Sequence, residues 1–306
     1  MPILRSTFIA LSRNSSVRKF SEQSAVGRRM SSRFVAGMEI ADALRAAESL
    51  NEKGIAATLD SLGESVSNPD EAHRAAETYH QLLDAIQSER LNANVSVKLT
   101  QMGLDLDPEL TYDIVAKLVA HAASTGNFVR IDMEGSEHTE TTVEMVRKLH
   151  AIYPGSVGIV IQAYLYRSEK DLHTLLAEGI RVRLCKGAYQ EPPNIAFAEK
   201  KDVDENFLKL TRILLNSSIY HGLATHDEKI IEATRHFLRE RKFDPKRFEF
   251  QMLYGVRRDL QKSLVRDGYN MRVYIPFGAE WYPYFMRRLA ERPANVIFLA
   301  KNFFRS

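Results

Sequence analysis

The sequence predicts an α/β protein folded as an eight-stranded (βα)8 barrel of the TIM type, preceded by a helical arm. From about residue 55 onward, short apolar, β-branched runs alternate with longer segments of 3.6-residue periodicity. The alternation occurs eight times, which is typical of a closed parallel barrel. The glycine-rich first turn of an open dinucleotide-binding sheet is missing. We therefore place the arm at residues 1–45 and the barrel at residues 46–306.

Eight apolar runs are the predicted strands. In chain order they are Ile55–Leu62, Val95–Leu99, Phe128–Met133, Val157–Ala163, Arg181–Lys186, Leu223–His226, Phe248–Leu253 and Met271–Ile275. Three of the intervening helices carry capping residues at their predicted starts: Asn68 and Asp107, each followed by proline, and Ser168 with Asp171 three residues later. These caps separate the strands from the helices that follow them.

Composition narrows the class of protein. The chain has 306 residues, of which 44% are hydrophobic and 26% charged, as in an ordinary globular protein. A net charge of +3 does not indicate a nucleic acid partner, and no apolar run approaches the roughly 20 residues needed to cross a bilayer. The single cysteine, Cys185, excludes an internal disulfide and a cysteine-rich metal site. We therefore expect a reducing compartment, the cytoplasm.

The N-terminal segment is basic and poor in acid. Before Glu39 its one acidic residue is Glu22, against these basic residues: Arg5, Arg13, Arg18, Lys19, Arg28, Arg29 and Arg33. Three interpretations stay open, namely an organelle transit peptide, a basic helix on anionic lipid, and helices packed beside the barrel. The second would give peripheral contact with the inner face of the cell membrane.

Polar side chains end nearly every predicted strand. They are Glu64, Lys98, Asp132, Glu134, Gln162, Arg183, Lys186, Thr225, His226, Gln251 and Tyr274. In barrels of this type the active site lies at the carboxyl ends of the strands, so this set predicts a site there. A charged residue at a single strand end more often marks a loop reaching solvent, and it is the repetition around the barrel that favours a site.

Arg183 is expected to point into the barrel. Side chains alternate along a strand, so Arg183 points inward if Leu184 packs outward against the helices. A buried arginine keeps its charge and needs a carboxylate partner, for which Asp132 and Glu64 are the candidates. Lys98 is expected to join the same cluster.

The last helical segment carries a second candidate feature. Tyr284, Arg287, Arg288 and Glu291 recur at spacings of three and four, which places them on one helix face. Adjacent arginines beside a tyrosine suit a small carboxylate, whereas a solvated helix end is the simpler alternative. This helix follows the eighth strand and is positioned to close over the barrel mouth.

Two other residues have plainer interpretations. His226 and Asp227 lack a second histidine or cysteine at ligand spacing, so we expect no metal site. Cys185 has no nearby histidine in sequence and is expected to be a small buried residue rather than a nucleophile.

Five stretches resemble one enzyme family. They are Val-Arg-Leu-Cys-Lys-Gly-Ala-Tyr, Ile-Gln-Ala-Tyr-Leu, Leu-Ala-Thr-His-Asp, Phe-Gln-Met-Leu-Tyr-Gly and Phe-Met-Arg-Arg-Leu-Ala-Glu-Arg-Pro-Ala-Asn. Together they resemble the FAD-dependent proline dehydrogenases in their short, monofunctional bacterial form, over about Ala36 to Asn295. The resemblance implies a distorted barrel with N-terminal helices and the last helix over the mouth.

The resemblance also implies roles for individual residues. Those that would contact L-proline are Lys98, Leu253, Tyr274, Tyr284, Arg287 and Arg288, with Glu291 orienting the arginines. Those that would hold FAD are Met133, Gln162, Arg183, Lys186, Gly187, Ala188, Thr225 and His226. Asp132 and Arg183 would lie beside the reacting atoms, and Glu64 would act as a gate that pairs with Arg183.

The implied reaction is oxidation of L-proline to 1-pyrroline-5-carboxylate, the first step of proline catabolism to glutamate, with hydride transfer to the flavin and electrons passed to a membrane quinone. Three alternatives stay open. The enzyme could use another cyclic imino acid such as 4-hydroxyproline, although the bulk of Tyr284 argues against it. Lys98 or Lys186 could form a Schiff base in a flavin-free barrel aldolase, or the chain could be a binding module without catalysis.

Overall fold

The computed structural model describes residues 32–189, 191–282 and 284–286. Its core is a closed barrel of eight strands, each hydrogen-bonded in parallel to its neighbours in chain order, with the first strand also paired to the last. The predicted fold class is confirmed.

All eight predicted strands are present. They are β1 Ala56–Ser61, β2 Ala93–Val97, β3 Val129–Ile131, β4 Val157–Gln162, β5 Arg181–Cys185, β6 His221–Ala224, β7 Phe248–Leu253 and β8 Asn270–Phe277. Two strands, β2 and β6, begin and end two residues earlier than predicted. Thr225 and His226 therefore lie just beyond the carboxyl end of β6.

Eight α-helices are described by residue range. They are α1 Ile40–Asn51, α2 Pro69–Ser88, α3 Pro108–Ser124, α4 Thr139–Ile152, α5 Ser168–Ala177, α6 Lys200–Asn216, α7 Glu228–Arg241 and α8 Arg258–Arg266. Two predicted caps are confirmed: Asn68 accepts a hydrogen bond from the Glu71 amide at 3.0 Å, and Asp107 accepts one from the Glu109 amide at 2.8 Å.

The predicted cap at Ser168 is wrong. Ser168 is the first residue of α5, and its hydroxyl donates to the carbonyl oxygens of Gln162 and Leu165 instead of accepting from the helix. Asp171 is bound by Arg167, whose Nε lies 2.6 Å from its carboxylate. The serine thus fastens the start of α5 to the end of β4.

The barrel interior is polar and its outer face apolar. Ser96 of β2 and Arg183 of β5 hydrogen-bond to each other across the barrel at 3.1 Å, so both side chains point inward. Their strand neighbours Val97 and Leu184 belong to the fully buried hydrophobic core beneath the helices. The interior thus has room for charge chemistry while the helix-facing layer supplies the hydrophobic stabilisation.

Helix α1 lies outside the barrel against β1 and β8. It buries Ala43, Leu44 and Ala47, and the side chain of Asn51 at its end donates to the carbonyl of Ile55 at 2.9 Å. Residue 45, the predicted boundary between arm and barrel, falls inside this helix. Since α1 covers the β1–β8 seam, the chain after β8 is not needed there.

Residues 278–282 and 284–286, which follow β8, lie at the barrel mouth. Residues 281–282 and 284–286 are helical, and they pack with the segment before α1 and with the end of β1 in an apolar cluster. The Ala36 amide donates to Pro276 O and the Gly278 amide to Gly37 O, both at 2.9 Å, which joins the two segments. Arg287, Arg288 and Glu291 lie outside the described residues.

In the described part of the chain, no helix combines the length and apolar character needed to cross a membrane.

Candidate active site

Asp132 is the centre of a hydrogen-bonded group at the carboxyl ends of the strands. Its Oδ1 accepts from Ser96 Oγ at 2.6 Å and from Arg183 Nη1 at 2.9 Å, and its Oδ2 accepts from Tyr274 Oη at 2.7 Å. Arg183 Nε donates to Gln251 Oε1 at 2.5 Å. We call Ser96, Asp132, Arg183, Gln251 and Tyr274 the inner cluster. It joins β2, the end of β3, β5, β7 and β8.

The predicted orientation of Arg183 is confirmed. Its side chain is 6% exposed, its guanidinium carbon lies 5.2 Å from the centre of the Tyr274 ring, and its carboxylate partner in the described residues is Asp132. Glu64, the other candidate, lies exposed in the loop three residues after β1 and adds negative charge near Lys98. Its role as a gate stays a prediction.

Lys98 is held beside the inner cluster by Asp60. The ammonium lies 3.3 Å and 3.4 Å from the two carboxylate oxygens of Asp60, whose side chain is 1% exposed. Burial lowers the pKa of Lys98, but the carboxylates of Asp60 and Asp132 outweigh burial, so the pKa lies above its usual value. Lys98 is therefore a permanent cation. Burial also raises the pKa of Asp60.

The charge on Lys98 bears on the aldolase alternative. A Schiff base requires a neutral lysine amine, usually produced by burial without a carboxylate partner. Lys98 has the opposite environment, because Asp60 and Asp132 stabilise its protonated form. Lys186 also contacts two carboxylates. Both lysines are thus paired with carboxylates, which argues against the Schiff-base aldolase interpretation.

The predicted cofactor residues at the end of β4 and just after β6 lie at the mouth and are held by defined contacts. Gln162 Nε2 donates to the carbonyl of Glu134 at 2.8 Å. His226 Nε2 accepts from the Leu253 amide at 2.9 Å, so a neutral His226 carries its proton on Nδ1. Thr225 Oγ1 accepts from the Asp227 amide at 3.1 Å. Their cofactor roles, and that of Met133, stay predictions.

Lys186 belongs to a second charged group at the rim of the mouth, formed by Lys186, Lys200, Asp204 and Asp227, which we call the rim cluster. Lys186 pairs with Asp204 and, at 2.9 Å, with Asp227; Lys200 pairs with Asp204 and, at 3.3 Å, with Asp227. Burial would raise the pKa of Asp227, but the two lysines outweigh it and lower the pKa to about 2. The sequence did not predict these carboxylate partners of Lys186.

Gly187 follows Lys186 in a turn that only glycine fits. Its φ is +109°, and a Cβ there would lie 2.2 Å from the ring of Tyr164. The preceding Cys185 is partly buried, and burial raises the pKa of its thiol to about 12. The thiol is thus protonated near neutral pH, which agrees with its predicted role as a packing residue.

The structure describes some of the residues that were predicted to contact the substrate. Tyr284 is 7% exposed in the apolar cluster with Trp281 and Leu62, and Leu253 is the last residue of β7. The arginine pair and Glu291 are not described. Sequence reasoning missed Asp60 because a single carboxylate inside the apolar run of β1 resembles a strand interruption, and it gave Gln251 no role.

Comparisons with known proteins agree with this geometry. The profile of the family described as Proline dehydrogenase matches residues 43–301. The chain is 41% identical over 300 residues to Proline dehydrogenase 1 of Bacillus subtilis (strain 168), covering 98% of each protein. The chain belongs to the proline dehydrogenase family. Proline dehydrogenase of Deinococcus radiodurans is 39% identical over 276 residues, or 89% of each chain. Proline dehydrogenases are flavin-dependent oxidoreductases, and this chain is an enzyme of that class.

A solved structure of proline utilization A (PutA) from Bdellovibrio bacteriovorus, inactivated by N-propargylglycine, shares the fold. The TM-score is 0.83 at 25% identity, and the match covers 94% of this proline dehydrogenase and 36% of that longer chain. The match supports the eight-stranded barrel as the common part of the two proteins.

Proposed function

We propose that this proline dehydrogenase oxidises L-proline to 1-pyrroline-5-carboxylate with FAD as its cofactor, and that the electrons pass to a membrane quinone. The observation that carries the proposal is the inner cluster, in which Arg183 is buried and fixed at the carboxyl ends of the strands in a chain of this family. When bound, FAD would supply the hydride acceptor.

The residues at the mouth fit a flavin. Arg183 uses Nη1 to donate to Ser96 and Asp132 and Nε to donate to Gln251, and in the described residues its Nη2 makes no hydrogen bond. Two donors of a permanently charged group therefore remain for a ligand with acceptor atoms. The residues that would hold FAD are Met133, Gln162, Arg183, Lys186, Gly187, Ala188, Thr225 and His226.

The opposite side of the mouth fits an amino acid with a carboxylate. The ammonium of Lys98 supplies fixed positive charge, and we assign Arg287 and Arg288 to the same carboxylate, with Glu291 orienting them. Tyr274, Tyr284 and Leu253 would wall the apolar ring. In this arrangement the chain mainly orients the substrate and excludes water, which is the contribution a hydride transfer requires of a protein. Glu64 would close the site.

The proposed electron acceptor, a membrane quinone, suggests a function for the N-terminal arm. A membrane quinone is reached most directly by an enzyme that rests on the lipid, and the basic residues of the arm favour an anionic surface. We propose a cytoplasmic enzyme with peripheral contact at the inner face of the membrane.

The test is an absorbance spectrum of the purified, FAD-reconstituted protein before and after adding L-proline without oxygen. We expect the oxidised flavin band near about 450 nm to bleach, and to bleach more slowly with 4-hydroxy-L-proline, because Tyr284 leaves little room for a ring hydroxyl. A flavin band that L-proline leaves unchanged would refute the substrate. Absence of a flavin band after reconstitution would refute the cofactor.

A further inference from the structure

We propose that Gln251 is a positioning residue that fixes the guanidinium of Arg183, supported from the far end of the barrel by Glu249 and Arg272. This proposal rests on the proposed function, because that function is what assigns Arg183 to the flavin. It assigns a task to three interior residues of β7 and β8 that the substrate and cofactor do not explain.

A continuous chain of hydrogen bonds leads from Arg183 down the barrel axis. Gln251 accepts from Arg183 Nε at 2.5 Å and donates through Nε2 to Glu249 Oε1 at 2.6 Å. Glu249 accepts in turn from Arg272 Nε at 2.8 Å, and Arg272 Nη1 donates to the carbonyl of Ala57 at 2.5 Å. We call Gln251, Glu249 and Arg272 the axial column.

The two partners of the Gln251 amide, Arg183 and Glu249, fix its orientation. A guanidinium only donates and a carboxylate only accepts, so the amide oxygen must face Arg183 and the amide nitrogen must face Glu249. Gln251 and Glu249 are 4% and 5% exposed, so water does not compete freely for either bond. A flipped amide would set its nitrogen against the Arg183 guanidinium and its oxygen against the Glu249 carboxylate, so both hydrogen bonds would be lost.

Gly222 of β6 gives an independent sign that this position is built for the amide. A Cβ at residue 222 would lie 2.3 Å from Gln251 Nε2, and its backbone φ is outside the region that itself requires glycine. The absence of a side chain on β6 therefore leaves the space that the Gln251 amide fills.

The consequence is a fixed direction for the remaining donors of Arg183. Ser96 and Asp132 hold one edge of the guanidinium through Nη1, and Gln251 holds Nε. Without the bond to Gln251, the group could rotate about its contact with Asp132. The two N–H groups of Nη2 would then no longer be held in the direction in which they would donate to the flavin.

The experiment compares Gln251→Met and Gln251→Glu in the FAD-loaded enzyme. Gln251→Met removes the acceptor for Arg183 Nε. We expect kcat for L-proline to fall about tenfold with KM nearly unchanged, and the stabilisation of the reduced flavin to fall about tenfold, which makes the two-electron potential about 30 mV more negative. Gln251→Glu keeps an acceptor for Arg183 and, when protonated, a donor for Glu249. We expect it to restore kcat and potential to within about threefold of wild type.

Two further variants serve as a control and as a substitute for a variant that does not fold. Thr58→Val removes a different hydrogen bond of a buried side chain, from Thr58 to the half-buried Asn94 at 2.6 Å, and is expected to leave the potential unchanged. If Gln251→Met does not fold, Gly222→Ala displaces the same amide without deleting it and is expected to shift the potential in the same direction. An unchanged potential and kcat in the variant that folds would overturn the positioning role, as would an equal shift in Thr58→Val or the same loss in Gln251→Glu.

A readout without flavin separates this proposal from the proposed function. Phenylglyoxal modification of Arg183, mapped by mass spectrometry in the flavin-free protein, is expected to be about tenfold faster in Gln251→Met than in wild type. Equal rates would overturn the positioning role even if L-proline bleaches the wild-type flavin. A faster modification rate in Gln251→Met would support the positioning role even if L-proline does not bleach the wild-type flavin.

Discussion

The inner cluster and the rim cluster are two groups of paired charges at the same end of one barrel, and their surroundings differ. In the inner cluster the side chains of Arg183 and Asp132 are 6% and 14% exposed, whereas Lys186 and Asp227 of the rim cluster are 26% and 22% exposed. Breaking a buried ion pair costs much more than breaking a partly solvated one.

The two clusters also differ in which elements they join. The rim cluster pairs two lysines with two aspartates and ties the end of β5 to α6 and to the start of α7, where Asp227 also caps the helix at the Lys229 amide. The inner cluster joins strands across the barrel and leaves Arg183 Nη2 directed to none of the described residues. We infer that the rim cluster stabilises the loops of the mouth and that the inner cluster supports the chemistry.

The largest expected effect breaks the inner cluster at Asp132. Asp132→Asn keeps the shape of the side chain but removes the charge that holds Arg183. Because removing one partner of a buried pair costs about 3–5 kcal/mol, we expect kcat/KM for L-proline to fall by about two to four orders of magnitude. Steady-state kinetics with a quinone analogue, corrected for flavin content, measures this. The matched control is Asp204→Asn in the rim cluster, which should stay within about threefold of wild type; equal losses would contradict the distinction.

A smaller effect is expected from Tyr274→Phe. This change keeps the ring beside Arg183 and removes the hydroxyl that donates to Asp132 at 2.7 Å. A hydrogen bond to a charged group is worth about 1.5–3 kcal/mol, so we expect kcat/KM to fall by about ten- to a hundredfold.

The pH profile of Tyr274→Phe sharpens this prediction. Burial raises the pKa of the Tyr274 hydroxyl well above its usual value, so the hydroxyl stays protonated in any ordinary assay. The ratio of wild-type to variant kcat/KM should therefore stay constant between about pH 6 and pH 9. A ratio that collapses toward one on the alkaline side would show that the hydroxyl ionises and would refute the assigned environment.

The smallest expected effect is that of Lys186→Met on the stability of the flavin-free protein. The carboxyl of Asp227 has a pKa of about 2 in the folded protein, below its unfolded value of about 3.9. A lowered carboxyl pKa contributes stability that is present above the unfolded pKa and is lost as the pH falls through the folded pKa. Because the pair is partly solvated and Lys200 supplies part of the shift, we expect the variant to lose no more than about 1 kcal/mol of unfolding free energy at pH 7 and progressively less between pH 4 and pH 2.

Urea denaturation of wild type and Lys186→Met at several pH values measures this loss. Lys200→Met is the matched control, because Lys200 contacts the same two aspartates with its side chain 72% exposed and should change the stability by less than about 0.5 kcal/mol. A deficit of Lys186→Met that does not shrink in acid would show that the Asp227 carboxyl is not its source.

The fold could be predicted almost completely from the sequence. The eight apolar runs locate the strands in the sequence, because buried strands of a parallel barrel exclude polar residues from the helix-facing side. The position of α1 across the β1–β8 seam could not be predicted, since the apolar stripe of Ala43, Leu44 and Ala47 fits any hydrophobic surface. The cap assigned to Ser168 failed because a serine hydroxyl can also donate, and nearby carbonyl groups competed for it.

The site could be predicted less completely. The inward orientation of Arg183 and its need for a carboxylate followed from alternation along the strand and from burial of the cation, but Asp132 and Glu64 stayed open as its partner until the structure placed Asp132 against it. The partners of Lys98 and Lys186 did not follow, because Asp60, Asp204 and Asp227 come from other elements and meet them only through the closure of the barrel. Sequence patterns indicate which side chains reach the mouth, and the three-dimensional packing decides which of them pair.

The most direct test of the account is anaerobic stopped-flow reduction of the bound flavin by L-proline in wild type, Asp132→Asn and Asp204→Asn. We predict that wild type and Asp204→Asn bleach at rates within about threefold of each other, and that Asp132→Asn bleaches at least about a hundredfold more slowly with its flavin still bound. Equal slowing of both variants, or undiminished bleaching in Asp132→Asn, would contradict the claim that the inner cluster is where proline is oxidised.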